Sequence, residues 1–296
     1  RGLRGPVGGR VGAAGVTRLP AGPVTAAVAL LLAGLCAGGV LLGEVPLPAR
    51  DVLAALVDPR GHPDTAAIVT GLRLPRVCVA ALVGAALASS GAGLQALTGN
   101  PLADPYLVGV ASGASVGAGA AILLGVAGGP GLAAFAFAGA LAATGLVFLL
   151  ARGGGRLDLG AFLLAGVVAG TFLAALMQLL LALAGQEQSR ILGWLMGYLG
   201  DADWGQAALL PPVVRVGAAL LSGWARWLDA FAFGEDAARS AGVPVEGFKA
   251  GALALVALLT AAAVSATGIV GFVGLAVPHV CRRLIGPPNR RLVPLC

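Results

Sequence analysis

Residues 73–115 read RLPRVCVAALVGAALASSGAGLQALTGNPLADPYLVGVASGAS, and the first half of that stretch decides the architecture. From Val77 to Gly99 no charged side chain occurs, and Ala, Leu, Val and Gly dominate. A helix needs about 20 mostly apolar residues to cross the hydrocarbon core of a bilayer. This run supplies them before Asn100-Pro101 turns the chain. A barrel strand would instead alternate apolar and polar positions over about ten residues. The run is continuously apolar, so it reads as a membrane-crossing helix.

The same reading, carried outward, finds apolar segments at 23–43, 76–99, 106–127, 131–151, 160–184, 206–223 and 248–267, with a shorter one at 270–285. The fold class expected is all-α, a polytopic membrane helix bundle with eight spans. The whole chain agrees: of 296 residues, 58% are hydrophobic and 11% charged, with a mean hydropathy of +0.94. A soluble domain carries about 25% charged residues, so the chain lacks the polar side chains to cover a surface in water. A disordered chain would be poor in Leu and Val, and a disulfide scaffold rich in Cys. The four cysteines, Cys36, Cys78, Cys281 and Cys296, form no CxxC pair, and Cys36 and Cys78 sit in apolar runs as small hydrophobes. Leu32-Ala33-Gly34-Leu35-Cys36 approaches a lipoprotein cleavage box but has Leu before the Cys, and is read as uncleaved.

The net charge of +6 has a topological source. Arg1, Arg4, Arg10 and Arg18 precede the first segment, whose apolar core is too long for a signal peptide. It is expected to anchor with the N-terminal tail 1–22 in the cytoplasm and the permease domain at 23–296. Alternating sides from there, the pieces 1–22, 100–105, 152–159, 224–247 and 281–296, with boundary Lys249, hold thirteen Lys and Arg, while 44–76 and 185–205 hold five. This positive-inside bias explains the basic pI without nucleic acid as a partner. Arg50 and Arg60 lie in a charge-balanced outer loop, whereas Arg73 and Arg76 flank Leu74-Pro75 at the mouth of the second span. There two guanidinium groups would be offered together to an acidic partner. Arg215 falls inside the sixth segment, where a charge either serves function or snorkels to the interface.

Small residues recur at spacing four: Gly84 and Ala88; Gly109, Gly113 and Gly117; Gly166 and Gly170. Such faces let helices approach closely in lipid. No catalytic constellation is visible around His62 or His279, and the nearest approach to a phosphate loop, Gly242 to Gly247, puts Phe248 where Lys must stand. The chain is expected not to be an enzyme, and any ATP is expected on another chain.

Three ordered stretches carry a resemblance: residues 73–115 above, then ILGWLMGYLGDADW at 191–204, then FGEDAARSAGVPVEG at 233–247 followed by ATGIVGFVGLAVPHVCRRLIGPPNRRLVP at 266–294. Together they resemble the FecCD-type permeases of ABC importers, the family that carries ferric siderophores, haem and cobalamin. The resemblance implies a subunit in a bacterial cytoplasmic membrane that pairs with a second copy of itself around a central path. Each copy would rest on a cytoplasmic ABC ATPase that binds ATP and Mg, with no cofactor in this chain and no metal site. An extracytoplasmic substrate-binding protein would deliver the ligand. It also implies site roles. Gly234, Glu235, Asp236, Ala237, Ala238, Arg239, Ser240 and Gly242 correspond to the ATPase-coupling segment, a short helix stopped by Gly. Arg73 and Arg76 correspond to the arginines that dock the binding protein. Asn100 and Leu102 correspond to the cytoplasmic gate, with Asp158 to Gly160 as its companion. The family has ten spans, so the chain is expected to be truncated at the C-terminus by two helices and unstable alone. A secondary transporter or channel for a small solute is the alternative, and it would show internal repeats and broken helices with polar residues near mid-bilayer.

Overall fold

The structure is a computed structural model that describes residues 21–126, 128–153 and 156–296. The tail 1–22 with its four arginines therefore lies, but for its last two residues, outside the described residues. The helices are α1 (Ala21–Leu41), α2 (Ala49–Val57), α3 (Pro63–Ile68), α4 (Leu74–Thr98), α5 (Val110–Leu123), α6 (Gly129–Ala151), α7 (Leu159–Leu183), α8 (Gln188–Leu195), α9 (Trp204–Gly223), α10 (Ala225–Phe231), α11 (Glu235–Ser240), α12 (Val245–Thr267), α13 (Val273–Ile285) and α14 (Asn289–Leu295). The strands β1 (Arg152–Gly153) and β2 (Arg156–Leu157) pair antiparallel as a two-residue ladder between α6 and α7.

Among the described residues, six helical stretches are long and apolar enough to cross a membrane: Gly22–Leu41, Pro63–Thr98, Gly129–Ala151, Leu159–Leu183, Trp204–Gly223 and Val245–Thr267. The second opens earlier than the 76–99 read from sequence. A π-helical turn at Val69–Arg73 joins α3 to α4 into one continuous helix. Pro75 explains the turn: a proline inside a helix removes one hydrogen bond and presses on the carbonyl four residues back, and an inserted π turn is one way to relieve that. Arg73 and Arg76 therefore sit within a long helix rather than at its mouth.

The segments read at 106–127 and 270–285 are short helices, α5 of 14 residues and α13 of 13 residues. Each is preceded by chain that is not α-helical. Before α5, Pro105–Val108 forms a 3-10 turn and Gly109 takes φ 84°. Before α13, Gly268 to Phe272 run without α-helix. The ends of that second run are fixed. Tyr198 N donates to Thr267 O at 2.8 Å, close to where Arg76 reaches Leu199 and Gly200, so Thr267 lies at the Arg76 end of α4. Gly274 packs on Gly91, about 22 Å along α4 at 1.5 Å per residue. The chain after α12 thus descends along α4 before winding into α13.

α4 and α12 form the centre, apolar all round and the most buried of the spans, while α1 and α7 are the least buried. Close approach is set by small residues. A Cβ on Gly113 would fall on Gly139 O and Ala143 Cβ, one on Gly117 on Phe135 O, and one on Gly166 on Leu107 O. The expected small-residue faces of α5 and α7 thus pack, whereas Gly84 has no neighbour within 4 Å. Near the start of α12, Phe248 is ringed by Trp224, Trp227 and Phe231 at 5.6, 5.4 and 5.3 Å between centroids, which fastens α10 to α12. Arg215 is exposed on the outer side of α9.

Gly113→Leu is expected to cost about 2 kcal/mol or more and to lower the thermal midpoint of the detergent-solubilised protein. Gly34→Leu, at a position with nothing within 4 Å, is expected to leave it unchanged. A thermal ramp read by size-exclusion chromatography checks both.

Candidate functional site

The residues singled out in sequence divide between the two ends of α4. Arg73 and Arg76 lie at its start. Asn100, Leu102, Asp158 and the segment 233–247 lie at the other end, with the start of α12.

The segment 233–247 is a short helix with both ends specified. Gly234 takes φ 100° before α11, and Glu235 and Asp236 fill its first turn, where carboxylates favour the positive end of the helix dipole. At the other end Gly242 N donates to Arg239 O at 3.0 Å and Val243 N to Ala238 O at 3.1 Å, with Gly242 at φ 81°. These two bonds are a Schellman motif, which demands a left-handed residue that glycine supplies without strain. Ala238 and Val243 are buried as its hydrophobic contact. Asp236, Ala237, Arg239 and Ser240 are exposed, with Arg239 paired to Asp236 at 3.0 Å.

Lys249 holds this helix to the rest, and its role is not visible in the sequence, where it reads as one more cytoplasmic cation. It is 2% exposed. Its Nζ meets Glu235 Oε1 at 2.9 Å and Glu246 Oε1 at 3.1 Å, and donates to Leu157 O. Glu246 in turn accepts from Leu157 N at 2.8 Å. An ammonium has three donors and no acceptor, and here three oxygens surround it. The signal available in sequence was Lys249 at i+3 from Glu246, spacing that places both on one helix face.

The turn after α4 is built by its own side chains. Gly99 takes φ 62°, Asn100 Oδ1 accepts from Leu102 N at 2.9 Å, and Ala103 N donates to Asn100 O at 3.1 Å. Leu102 projects, 70% exposed. Asp158 caps α7, its Oδ1 accepting from Ala161 N at 2.6 Å. Two side chains missed in sequence, buried Gln95 and half-buried Tyr106, serve the non-helical runs. Gln95 Nε2 faces Leu275 O at 3.2 Å, Gly274 O at 3.4 Å and Ala103 O at 3.5 Å, and its Oε1 accepts from Arg282 Nη1 at 2.9 Å. Tyr106 OH donates to Val270 O at 2.8 Å and accepts from Val270 N at 3.2 Å.

The arginines differ from the pair expected. Arg73 is 5% exposed and donates to Val40 O, Leu41 O and Val45 O at 2.8, 2.9 and 2.6 Å. It satisfies carbonyls left free at the end of α1 and is turned away from any external partner. Arg76 is half-buried and donates to Leu199 O at 3.2 Å and Gly200 O at 3.3 Å. The two side chains thus face different elements.

A cavity of about 590 Å³ opens beside Trp194, Tyr198, Asp201, Gln206 and Thr267 at the Arg76 end, and one of about 490 Å³ lies beside Gln95, Pro101, Asp229, Arg282 and Asn289 at the other. Among the described residues no cluster of three His, Cys, Asp or Glu side chains converges as a metal site.

The fold is a polytopic membrane helix bundle with a Gly-bracketed surface helix at one end and a cavity at each. Residues 29–296 match the FecCD transport family, and the chain belongs to it. It is 43% identical over 257 residues to the cobalamin import system permease protein BtuC of Halobacterium salinarum, covering 86% of this chain and 70% of that one. It is 37% identical to the hemin transport system permease protein HmuU of Yersinia pestis, over 90% of this chain and 80% of the relative. A solved structure described as an inward-facing ABC transporter of metal-chelate type superposes with a TM-score of 0.81 at 27% identity, covering 92% of this chain and 85% of that one. The chain is a multi-pass membrane protein, the permease subunit of an ABC importer. The broken helices seen here are thus compatible with a primary transporter, and family membership, not helix continuity, separates this chain from a secondary one.

Arg73→Met is expected to cost roughly 3 kcal/mol, since bonds to a charged group contribute about 1.5 to 3 kcal/mol each. Hydrogen exchange at 40–45 should accelerate while that at 233–247 stays as it was.

Proposed function

We propose that this chain forms one half of a permease dimer in a bacterial cytoplasmic membrane, with its N-terminus inside, and moves a bulky metal chelate inward. The cargo class is an iron siderophore, haem or cobalamin. Its support is that relatives named for cobalamin, hemin and ferric citrate import are 43%, 37% and 32% identical to this chain. ATP and Mg belong to a separate ATPase dimer, and an external binding protein supplies the cargo. The orientation rests on the excess of Lys and Arg at the α11 end.

The observation that carries the reading is helix α11. It is exposed on one side, closed at both ends by glycine, and anchored on the other side by Ala238 and Lys249, the form a docking element needs to receive a push without bending. Asp236, Ala237, Arg239 and Ser240 are its candidate contacts with the ATPase. Asn100 and Leu102 close the path from the two copies, with Leu102 as the projecting apolar plug and Asp158 as a flanking element. The docking role assigned to the arginine pair narrows to Arg76, because Arg73 is spent inside the fold. A rim cation of that kind sets association rate and register more than affinity.

Full-length protein co-reconstituted with its ATPase and binding protein should take up radiolabelled ferric siderophore, haem or cobalamin only when ATP is inside the ATPase-bearing compartment. Ala237→Trp, on the exposed side of α11, is expected to cut that uptake more than tenfold with the fold intact by size-exclusion. Uptake that persists without the ATPase would overturn the reading.

A further inference from the structure

The partners of Lys249 come from three different parts of the chain. Glu235 opens the surface helix α11. Glu246 sits one turn back on α12. Leu157 belongs to the β1–β2 ladder and immediately precedes Asp158, the cap of α7. Within one ammonium group's reach, 2.9 Å to Glu235 and 3.1 Å to Glu246, all three are joined, and Leu157 is held a second time through its N–H by Glu246 at 2.8 Å. The ammonium is nearly sealed from water, at 2% exposure, while its two carboxylate partners are part-exposed, at 37% and 38%. Removing it would leave Glu235 and Glu246 with no ammonium between them, only Arg156 remaining near Glu246, and would free the Leu157 carbonyl.

We propose that Lys249 is a positioning residue that locks α11, the first turn of α12 and the ladder leading into α7 into one rigid block, so that a displacement of α11 moves the start of α7 with it. This deepens the permease reading and rests on it for the source of the displacement. The chain of contacts is short and polar throughout: carboxylate of Glu235, ammonium of Lys249, peptide of Leu157, then the Asp158 cap whose Oδ1 holds Ala161 N at 2.6 Å. Among the described residues no backbone hydrogen bond joins α11 to the β1–β2 ladder. α11 is six residues long, and a helix that short has little stability apart from its tertiary contacts. A single buried charge can therefore set whether α11 moves with the ladder or separately from it.

Two measurements test this, one of which needs no partner. In the full-length permease alone, hydrogen exchange of peptides covering 152–160 and 233–247 is expected to rise together, about tenfold, in Lys249→Met, and to return to within about twofold of the native protein in Lys249→Arg. Peptides covering 76–99 should be unaffected. Faster exchange in only one of the two segments would overturn the block. In the reconstituted importer, Lys249→Met complexes that still assemble and hydrolyse ATP should move at least fivefold less cargo per ATP hydrolysed, with rescue by Lys249→Arg. Cargo per ATP within twofold of the native complex would overturn the role in transmission and leave Lys249 a structural clamp. If the native complex itself shows no ATP-dependent uptake, it is the permease reading that fails, and the exchange arm still decides whether the block exists.

Discussion

The constraint on which the rest of the structure depends is that a backbone polar group in hydrocarbon finds no water. Each one left without a partner costs several kcal/mol, so lipid admits only helices and closed barrels, and irregular chain survives at that depth only when wrapped in protein. This bundle contains two such irregular runs, 100–109 and 268–272, and it places them against each other and against α4. Tyr106 closes both polar groups of Val270, and Gln95 offers its amide to Ala103 O of the first run and to Leu275 O in the first turn of α13. The glycines at 91 and 274 let the descending chain lie directly on α4. Remove the wrapping and the two half-crossings have no reason to exist; with it, helices of 13 and 14 residues do the work of longer ones.

Charge is managed by the same rule. A guanidinium or ammonium taken out of water is expensive unless it is partnered, and three confined cations here are partnered in different ways. Arg73 spends its donors on the open end of a helix, Arg282 on an amide oxygen, and Lys249 on two carboxylates and a carbonyl. None of the three is held by a single partner residue of its own helix, so each joins elements distant in sequence. Exposed ion pairs, such as Arg50 with Asp51 at 3.2 Å, contribute little.

What the sequence made legible follows from what periodicity and composition can encode. Continuous apolar runs marked α1, α6, α7, α9 and α12 to within a few residues, and Gly234, Gly242 and Pro244 marked the bounds of α11, because glycine and proline act locally. The start of the second span was not legible, since Pro75 resembles an N-terminal proline and the π turn that absorbs it has no sequence signature. The half-crossings were read as whole helices because apolar content does not distinguish a helix from a wrapped extended chain. The facing of Arg73 and Arg76 depends on α1 and on the 196–200 turn, both remote in sequence. Lys249 was hidden for the same reason: its meaning lies in Leu157, which is 92 residues away.

The union of α3 and α4 across the π turn has a mechanical side. The continuous helix from Pro63 to Thr98 contains 36 residues and is about 54 Å long at 1.5 Å per residue, well beyond the hydrocarbon thickness of roughly 30 Å. One end lies beside the α1–α2 connection, and the other stops at Thr98, two residues before Asn100. A rod of that length pivoting near its middle by about ten degrees carries each tip roughly 5 Å, close to one helical turn. The π turn, the one stretch of that rod with a different winding, is where such a lever would flex first, and it lies on the side where Arg73 grips the end of α1.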